Sequence, residues 1–414
     1  MRIRRKYLFY ALAFTSAIIA AAVSAIDAKI INDVITDDPW AFGVSCFVVG
    51  TFVTLIIVLI FSIPLKGKSL GSKIIDPSFR RLRLVRKEEL KYHTLAGIGN
   101  AFLTIGYFFL LSMLGDPSAV LPFSQIVILY LILMESIVEK NIPTLSEIQS
   151  SLIVTFGAIL VSISLTGTLT LESMAIVFLV INPAWVLFSI YQRKLKLLKI
   201  DKRPNDALNI RFWNVVFACI FVFILVNMYD LFMGSSHFLA GLSASINHFG
   251  WVALTMAVTF FSYVFYIRAL GIGKASVTQA VRASTVLFAI PFSLLLAYLN
   301  IIPPFSTDPV MLLIKVIGTT LVILGIVSFA LSLVKAYVFI NVKTGVPIEE
   351  TMKKLWNIRG VTRVTATAGP YDFIVKIRTR TLVKGYEQII RKIEEIEAIE
   401  EYKWESVLKE WEDI

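Results

Sequence analysis

Ten stretches of about 18 to 25 mostly apolar residues follow one another along this chain, and a helix of that length crosses a hydrocarbon core. They lie near 7–26, 40–63, 94–114, 117–138, 148–166, 172–192, 207–232, 249–270, 275–298 and 309–334. Lipid offers the backbone no hydrogen-bond partner, so segments of this kind must be helices that satisfy themselves. The fold class that follows is an α-helical polytopic membrane protein of about ten spans. With 57% hydrophobic and only 17% charged side chains over 414 residues, a large soluble domain is excluded.

A net charge of +11 invites comparison with nucleic-acid binders, so the placement of the charge decides its meaning. Residues 336–414 carry thirteen Lys or Arg and thirteen Asp or Glu, which leaves the whole excess in the apolar part. There it reads as an orientation signal, because short loops rich in Lys and Arg stay on the cytoplasmic side. Arg2, Arg4, Arg5 and Lys6, the loop from Lys66 to Lys91, and the loop from Arg193 to Arg203 then all fall inside, as do Lys140, Lys274 and Lys335. The opposite loops carry Asp33, Asp37, Asp38, Asp116, Asp230 and Asp308, and the loop at 233–248 is external. Ten spans with both termini cytoplasmic in the cell (inner) membrane satisfy every loop, and no nucleic-acid partner is expected. A cleaved signal peptide, with small residues at Ala22 to Ala25, is the alternative for the first run. That run is longer than a signal core needs, and its loss would leave an odd number of helices.

Two stretches about 157 residues apart look alike: Tyr107 to Val120, and Tyr263 to Val277. In each, a helix ends at Leu-Gly, turns, and restarts on small residues; the helices that follow close on Gly157 and Gly318. Five spans per half is an odd number, so the second half enters from the opposite side as an inverted repeat. The boundaries are 1–166 for the first five-helix repeat and 167–335 for the second. The order of Leu114-Gly115, Glu139, Trp185 to Lys194, Ala269 to Ser276 and Pro291 resembles the drug/metabolite transporter superfamily of the EamA type. The resemblance implies secondary transport of small metabolites.

After Lys335 the texture turns amphipathic, and residues 336–414 read as a separate cytoplasmic domain. Ala336 to Lys343, Val361 to Ala368, Phe373 to Arg378 and Tyr402 to Leu408 read as strands; Pro347 to Ile358 and Leu382 to Ile396 read as helices. The order βαββαβ is that of the ferredoxin-like α+β fold. With Ile358-Arg-Gly-Val361 and Ala368-Gly-Pro-Tyr-Asp372, the segment is similar to the effector-binding (RAM) domain of Lrp/AsnC regulators. That resemblance implies homodimerisation and an amino-acid effector near Gly369, Tyr371 and Asp372. Read without it, Gly369 is a turn glycine with positive φ and Asp372 a cap at the strand entry.

Polar groups inside the spans are costly and so are the natural candidates for function. Arg282 lies about two turns into the ninth span, with Gln279 on the same face, and the repeat sets it opposite Gln125. Asn182, Trp185, Tyr263 and Tyr266 are placed to line the same substrate-binding cavity, with Asn100 and Asn214. Glu135 sits at a depth similar to Arg282, so Arg282 is either a carboxylate ligand or half of a gating pair with Glu135. Cys46 and Cys219 have no spacing partner, and His93, His237 and His248 are scattered, so no metal site is expected. Gly271 to Ser276 imitates a phosphate loop, but its first glycine position is Arg268, and no cofactor is expected. Nothing marks an enzyme. The chain is expected to be a secondary transporter, an exporter of small metabolites such as amino acids, with a sensing or dimerising domain. The alternative is a membrane-anchored amino-acid receptor or assembly protein that transports nothing.

Overall fold

A computed structural model describes residues 5–35, 38–114, 120, 124–138, 145–162, 171–200, 203–285, 288, 292, 298, 309–331, 334–358, 360–379 and 389–406. The turn after Leu114, Glu139, Pro291, Leu333, Arg359, and positions 382–388 and 407–408 of the expected C-terminal elements lie outside the described residues. The chain divides into two units, Met1–Asn141 with Ser151–Ile326, and Ile142–Ser150 with Val327–Ile414.

In chain order the helices are α1 (Tyr7–Val34), α2 (Pro39–Phe61), α3 (Lys87–Leu114), α4 (Val127–Val138), α5 (Leu145–Ser162) and α6 (Glu172–Leu197). They continue with α7 (Ala207–Met233), α8 (His237–Asn247), α9 (Phe249–Leu270), α10 (Ala275–Arg282) and α11 (Pro309–Leu331). Among the described residues, six of them, α1, α2, α3, α6, α7 and α9, are long and apolar enough to cross a membrane. Shorter apolar segments, Ile148–Gly157 and Leu312–Gly325, lie within α5 and α11.

Local chemistry sets the ends. Asp38 caps α2, its carboxylate accepting from the Ala41 N–H at 2.9 Å with Pro39 in the first turn. Asp206 caps α7 in the same way through Asn209, and α7 stops at Gly234, whose φ of 68° is easy only for glycine. Within α6, Pro183 cannot donate to the preceding turn, and the helix widens over Ile176–Ile181. Glycines set the closest helix approaches: a Cβ on Gly99 of α3 would sit 2.7 Å from the Ala184 carbonyl of α6, and one on Gly157 of α5 would sit 2.7 Å from the Gly318 carbonyl of α11.

The segment 233–248, expected as a loop, contains α8. The Asp230 carboxylate accepts from the N–H groups of His237 and Phe238, at 3.1 and 2.8 Å, which satisfies the first donors of that helix. Gly241 then rests on Ala41 and Val44 of α2.

The loops read only as orientation charges are partly folded. Pro64–Leu65 pairs with Lys68–Ser69, and Lys199–Ile200 with Arg203–Pro204. Lys196 Nζ donates to Asp76 at 2.6 Å and to the Asn205 carbonyl at 2.6 Å. Arg83 grips both oxygens of Glu89, at 2.6 and 2.7 Å, and Asn205 bridges the pair by accepting from Arg83 and donating to Glu89. Burial works to raise the Asp76 carboxyl. The charge and hydrogen bond of Lys196, with the N–H groups of Ala207 and Ser78, outweigh it and hold Asp76 below the ordinary carboxylate value.

In the second unit, β1 (Val334–Val342), α12 (Ile348–Trp356), β2 (Val361–Ala366), β3 (Phe373–Thr379) and β4 (Ile399–Ser406) form a small sheet domain, with residues 389–394 helical. The sheet runs β2-β3-β1-β4, every pair antiparallel. Alternation along β1 buries Ala336, Val338 and Ile340 and turns Tyr337 and Phe339 to the other face. The core is closed by Phe373, Val375 and Ile377 of β3, Leu355 of α12, and Ile389 and Ile393.

Candidate functional site

A cavity of about 110 Å³ opens inside the helical unit, walled by side chains from α1, α2, α3, α6, α7, α9 and α10. Gln125, Trp185, Tyr263, Gln279 and Arg282 all line it, and so do Asn100 and Tyr107. Asn182 and Tyr266 do not. The Asn182 amide donates to the Val177 carbonyl at 2.8 Å, patching the backbone where the helix widens ahead of Pro183. Tyr266 stands behind the wall, its hydroxyl 2.8 Å from Ser189 Oγ and its ring 4.8 Å from the Arg282 guanidinium.

Arg282 is 4% exposed and rests on aromatic surface. Its guanidinium carbon is 5.2 Å from the centroids of both Trp185 and Tyr263, and its Nε and Nη1 are buried without a hydrogen-bond partner. Aromatic faces attract a cation but accept no in-plane hydrogen bond, so the donors remain available. Gln279 Nε2, one turn before Arg282, reaches Gln125 Oε1 at 3.4 Å, a long contact.

Glu135 and Arg282 do not form an ion pair here. The Glu135 carboxylate accepts from the Ala275 N–H at 2.8 Å and from the N–H and hydroxyl of Ser276, so it closes the N-terminus of α10. Depth along the chain brought the two together on paper; the first turn of α10 claims the carboxylate instead, its unpaired N–H groups being strong local donors.

Two charged residues of the wall escaped the sequence reading. Arg211 of α7 is 2% exposed, with its guanidinium carbon 4.3 Å from the Tyr263 ring. Its Nη1 donates to Asn214 at 3.2 Å, while Nε has no partner. Asp27 of α1 is 5% exposed and shares a 2.6 Å hydrogen bond with the Thr255 hydroxyl. The signal for Arg211 was its position inside an apolar run; Asp27 was missed because that run was closed at 26, one residue short of it.

In the second unit, Gly369, Tyr371 and Asp372 fall in the turn between β2 and β3. Gly369 has no positive φ, and a Cβ there would meet only Thr367 Oγ1 at 4.0 Å, so the turn does not require a glycine. Positive φ occurs instead at Gly345 and Gly360, at 87° and 90°. The Asp372 side chain accepts from the Val342 N–H at 2.8 Å and its own N–H donates to the Ile340 carbonyl at 3.0 Å, which pins the turn to the end of β1. The Tyr371 ring packs 5.1 Å from Phe339.

Comparison with known proteins bears on the second unit. Residues 335–413 match the family model of the Lrp/AsnC ligand binding domain. No family model of the drug/metabolite transporters matches the chain, and no curated protein matches it. Among solved structures, one described only as the crystal structure of a protein aligns with 78% of this chain and 96% of its own, at 14% identity and a TM-score of 0.45.

Proposed function

We propose that the chain is a secondary transporter of small metabolites, an exporter of amino acids or related organic anions, with a C-terminal domain that senses amino acids and dimerises. The observation that carries this reading is the cavity inside the apolar helical unit, whose largely apolar wall carries Arg282 and Gln125. A receptor that only anchors itself does not need an enclosed chamber with charged and amide groups on its wall; transporters built from inverted repeats bind solute in such a chamber between their halves.

The inverted repeat of the EamA type is supported by three symmetry-related pairs. Tyr107 and Tyr263 line one cavity, as do Gln125 and Arg282, and Gly157 lies against Gly318. Residues related by a two-fold axis come together only near that axis, and two of the pairs share the cavity wall while the glycine pair is in contact. Ten spans with both ends cytoplasmic remain the topology that best accommodates the loop charges. The antiparallel order β2-β3-β1-β4, with a helix after β1 and another before β4, supports the ferredoxin-like reading of this domain, in keeping with the Lrp/AsnC ligand-binding match.

Counterflow in proteoliposomes tests transport directly. Vesicles loaded with a panel of amino acids and organic acids should accumulate the labelled form of the same solute. Vesicles that accumulate none of them, around a folded protein whose C-terminal domain binds amino acids, would leave the receptor reading in place.

A further inference from the structure

The two arginines of the cavity share one aromatic ring and lack what buried arginines normally have. Outside the cavity, the buried carboxylates Asp76 and Glu89 are each met by a cation, Lys196 and Arg83. Arg211 and Arg282 have no acidic partner within ion-pair distance among the described residues, although both are more than nine-tenths buried. Three of their N–H-bearing nitrogens, Arg211 Nε and Arg282 Nε and Nη1, have no acceptor at all. Leaving such donors unpaired in a buried site is costly, and more so for charged groups.

What surrounds them repeats the message. Tyr263 faces both guanidiniums, at 4.3 and 5.2 Å, and Trp185 and Tyr266 add their faces to Arg282. These rings hold each cation in place while occupying none of its in-plane donors. Asn214 accepts from Arg211 and from Asn100 through the same oxygen, at 3.2 and 3.0 Å, and fixes the arginine by a single bond. A planar fork held in this way is suited to a carboxylate or another planar oxyanion. The acid on the wall, Asp27, is engaged with Thr255 and balances at most one of the two charges.

We infer that the solute taken by this cavity is a short organic anion with two acidic groups, one for Arg211 and one for Arg282. The inference rests on the cavity being the solute site of the transport reading and narrows it from metabolites in general to diacids.

The test is equilibrium binding to the full-length protein in detergent, read by calorimetry, with ligand pairs that differ by one acidic group. Succinate is set against succinamate and L-aspartate against L-asparagine, at fixed ionic strength. The diacid of each pair should bind at least about tenfold more tightly, the usual weight of a charged hydrogen-bonded contact. R211Q and R282Q should each erase that preference, and R282K should restore part of it, with thermal unfolding followed in every variant. Equal affinity for acid and amide, absence of binding by either diacid, or an unchanged preference in R211Q would overturn the inference. The comparison of ligands on the unaltered protein decides the matter even if a variant does not fold. Diacid preference without counterflow sinks transport and keeps the diacid site. Counterflow of neutral amino acids without diacid preference does the reverse.

Discussion

Two places in the helical unit hold buried charge, and they treat it in opposite ways. In the folded loops, Lys196, Asp76, Arg83, Glu89 and Asn205 close on one another at 2.6 to 2.8 Å, with each charge answered by a partner of the chain. In the cavity, Arg211 and Arg282 are more deeply buried than Arg83 or Lys196, and they are met by rings and, at Arg211, by an amide. A saturated network joins the segments before α3 and α7, whereas the cavity pair keeps donors without a partner, which is what the proposed anion site rests on. Burial alone therefore does not mark a functional charge. The state of its donors does.

The sharpest way to break this contrast is to remove one charge from each place and follow stability. Asp76→Ala strands Lys196, and breaking a buried pair costs about 3–5 kcal/mol. Arg282→Leu removes a cation with no acidic partner, where an apolar replacement is expected to be neutral or stabilising. Thermal unfolding in detergent should therefore drop for the first and hold or rise for the second, while on the proposed reading solute counterflow should be lost in the second. A large loss of stability in Arg282→Leu would mean that the cavity arginine is structural after all.

A second contrast lies between the cavity and the domain that matches the Lrp/AsnC ligand binding domain, because the two readings assign them different ligands. If effector binding is coupled to transport, the linkage is reciprocal and of the usual size, about 1–3 kcal/mol, a several-fold to roughly hundredfold change in affinity. Titrating the full chain with amino acids at the second unit, while measuring the apparent affinity for the transported solute, should reveal that shift. An effector that binds and leaves solute affinity unchanged would reduce the domain to assembly.

Much of this was legible before any coordinates. Apolar run length located α1, α2, α3, α6, α7 and α9, because in lipid length and composition nearly suffice to define a helix. The cavity residues Gln125, Trp185, Tyr263, Gln279 and Arg282 could be named because a polar group inside a span is expensive and therefore conspicuous. What the chain order concealed was side-chain destination. Glu135 and Arg282 share a depth, but the carboxylate is taken by the N–H groups of Ala275 and Ser276. Asn182 looks like a binding residue but repairs the helix beside Pro183. The helix α8 was hidden because its cap, Asp230, belongs to the preceding helix, seven and eight residues from the groups it binds.

The smallest expected effect concerns acid. Asp76 and Asp206 flank the same ends of α6 and α7, yet their carboxyls shift in opposite directions. Asp76 is held below its ordinary value of 3.8, since Lys196 and two N–H groups outweigh burial. Burial dominates at Asp206 and raises it above 3.8, despite the hydrogen bonds from Asn209. A depressed carboxyl contributes stability that is present above 3.8 and lost as pH falls through the lower folded value. A raised carboxyl contributes stability that is present below 3.8 and lost as pH rises through the higher folded value. Acidification from neutrality should therefore first gain stability from proton uptake at Asp206 and then lose it at Asp76, each step at most about 1.4 kcal/mol per pH unit for one proton. The readout is the thermal midpoint of the full chain against pH. In Asp206→Asn the early gain should vanish while the late loss persists; an unchanged profile would show that Asp206 ionises like a solvent-exposed carboxylate and that its burial carries no cost.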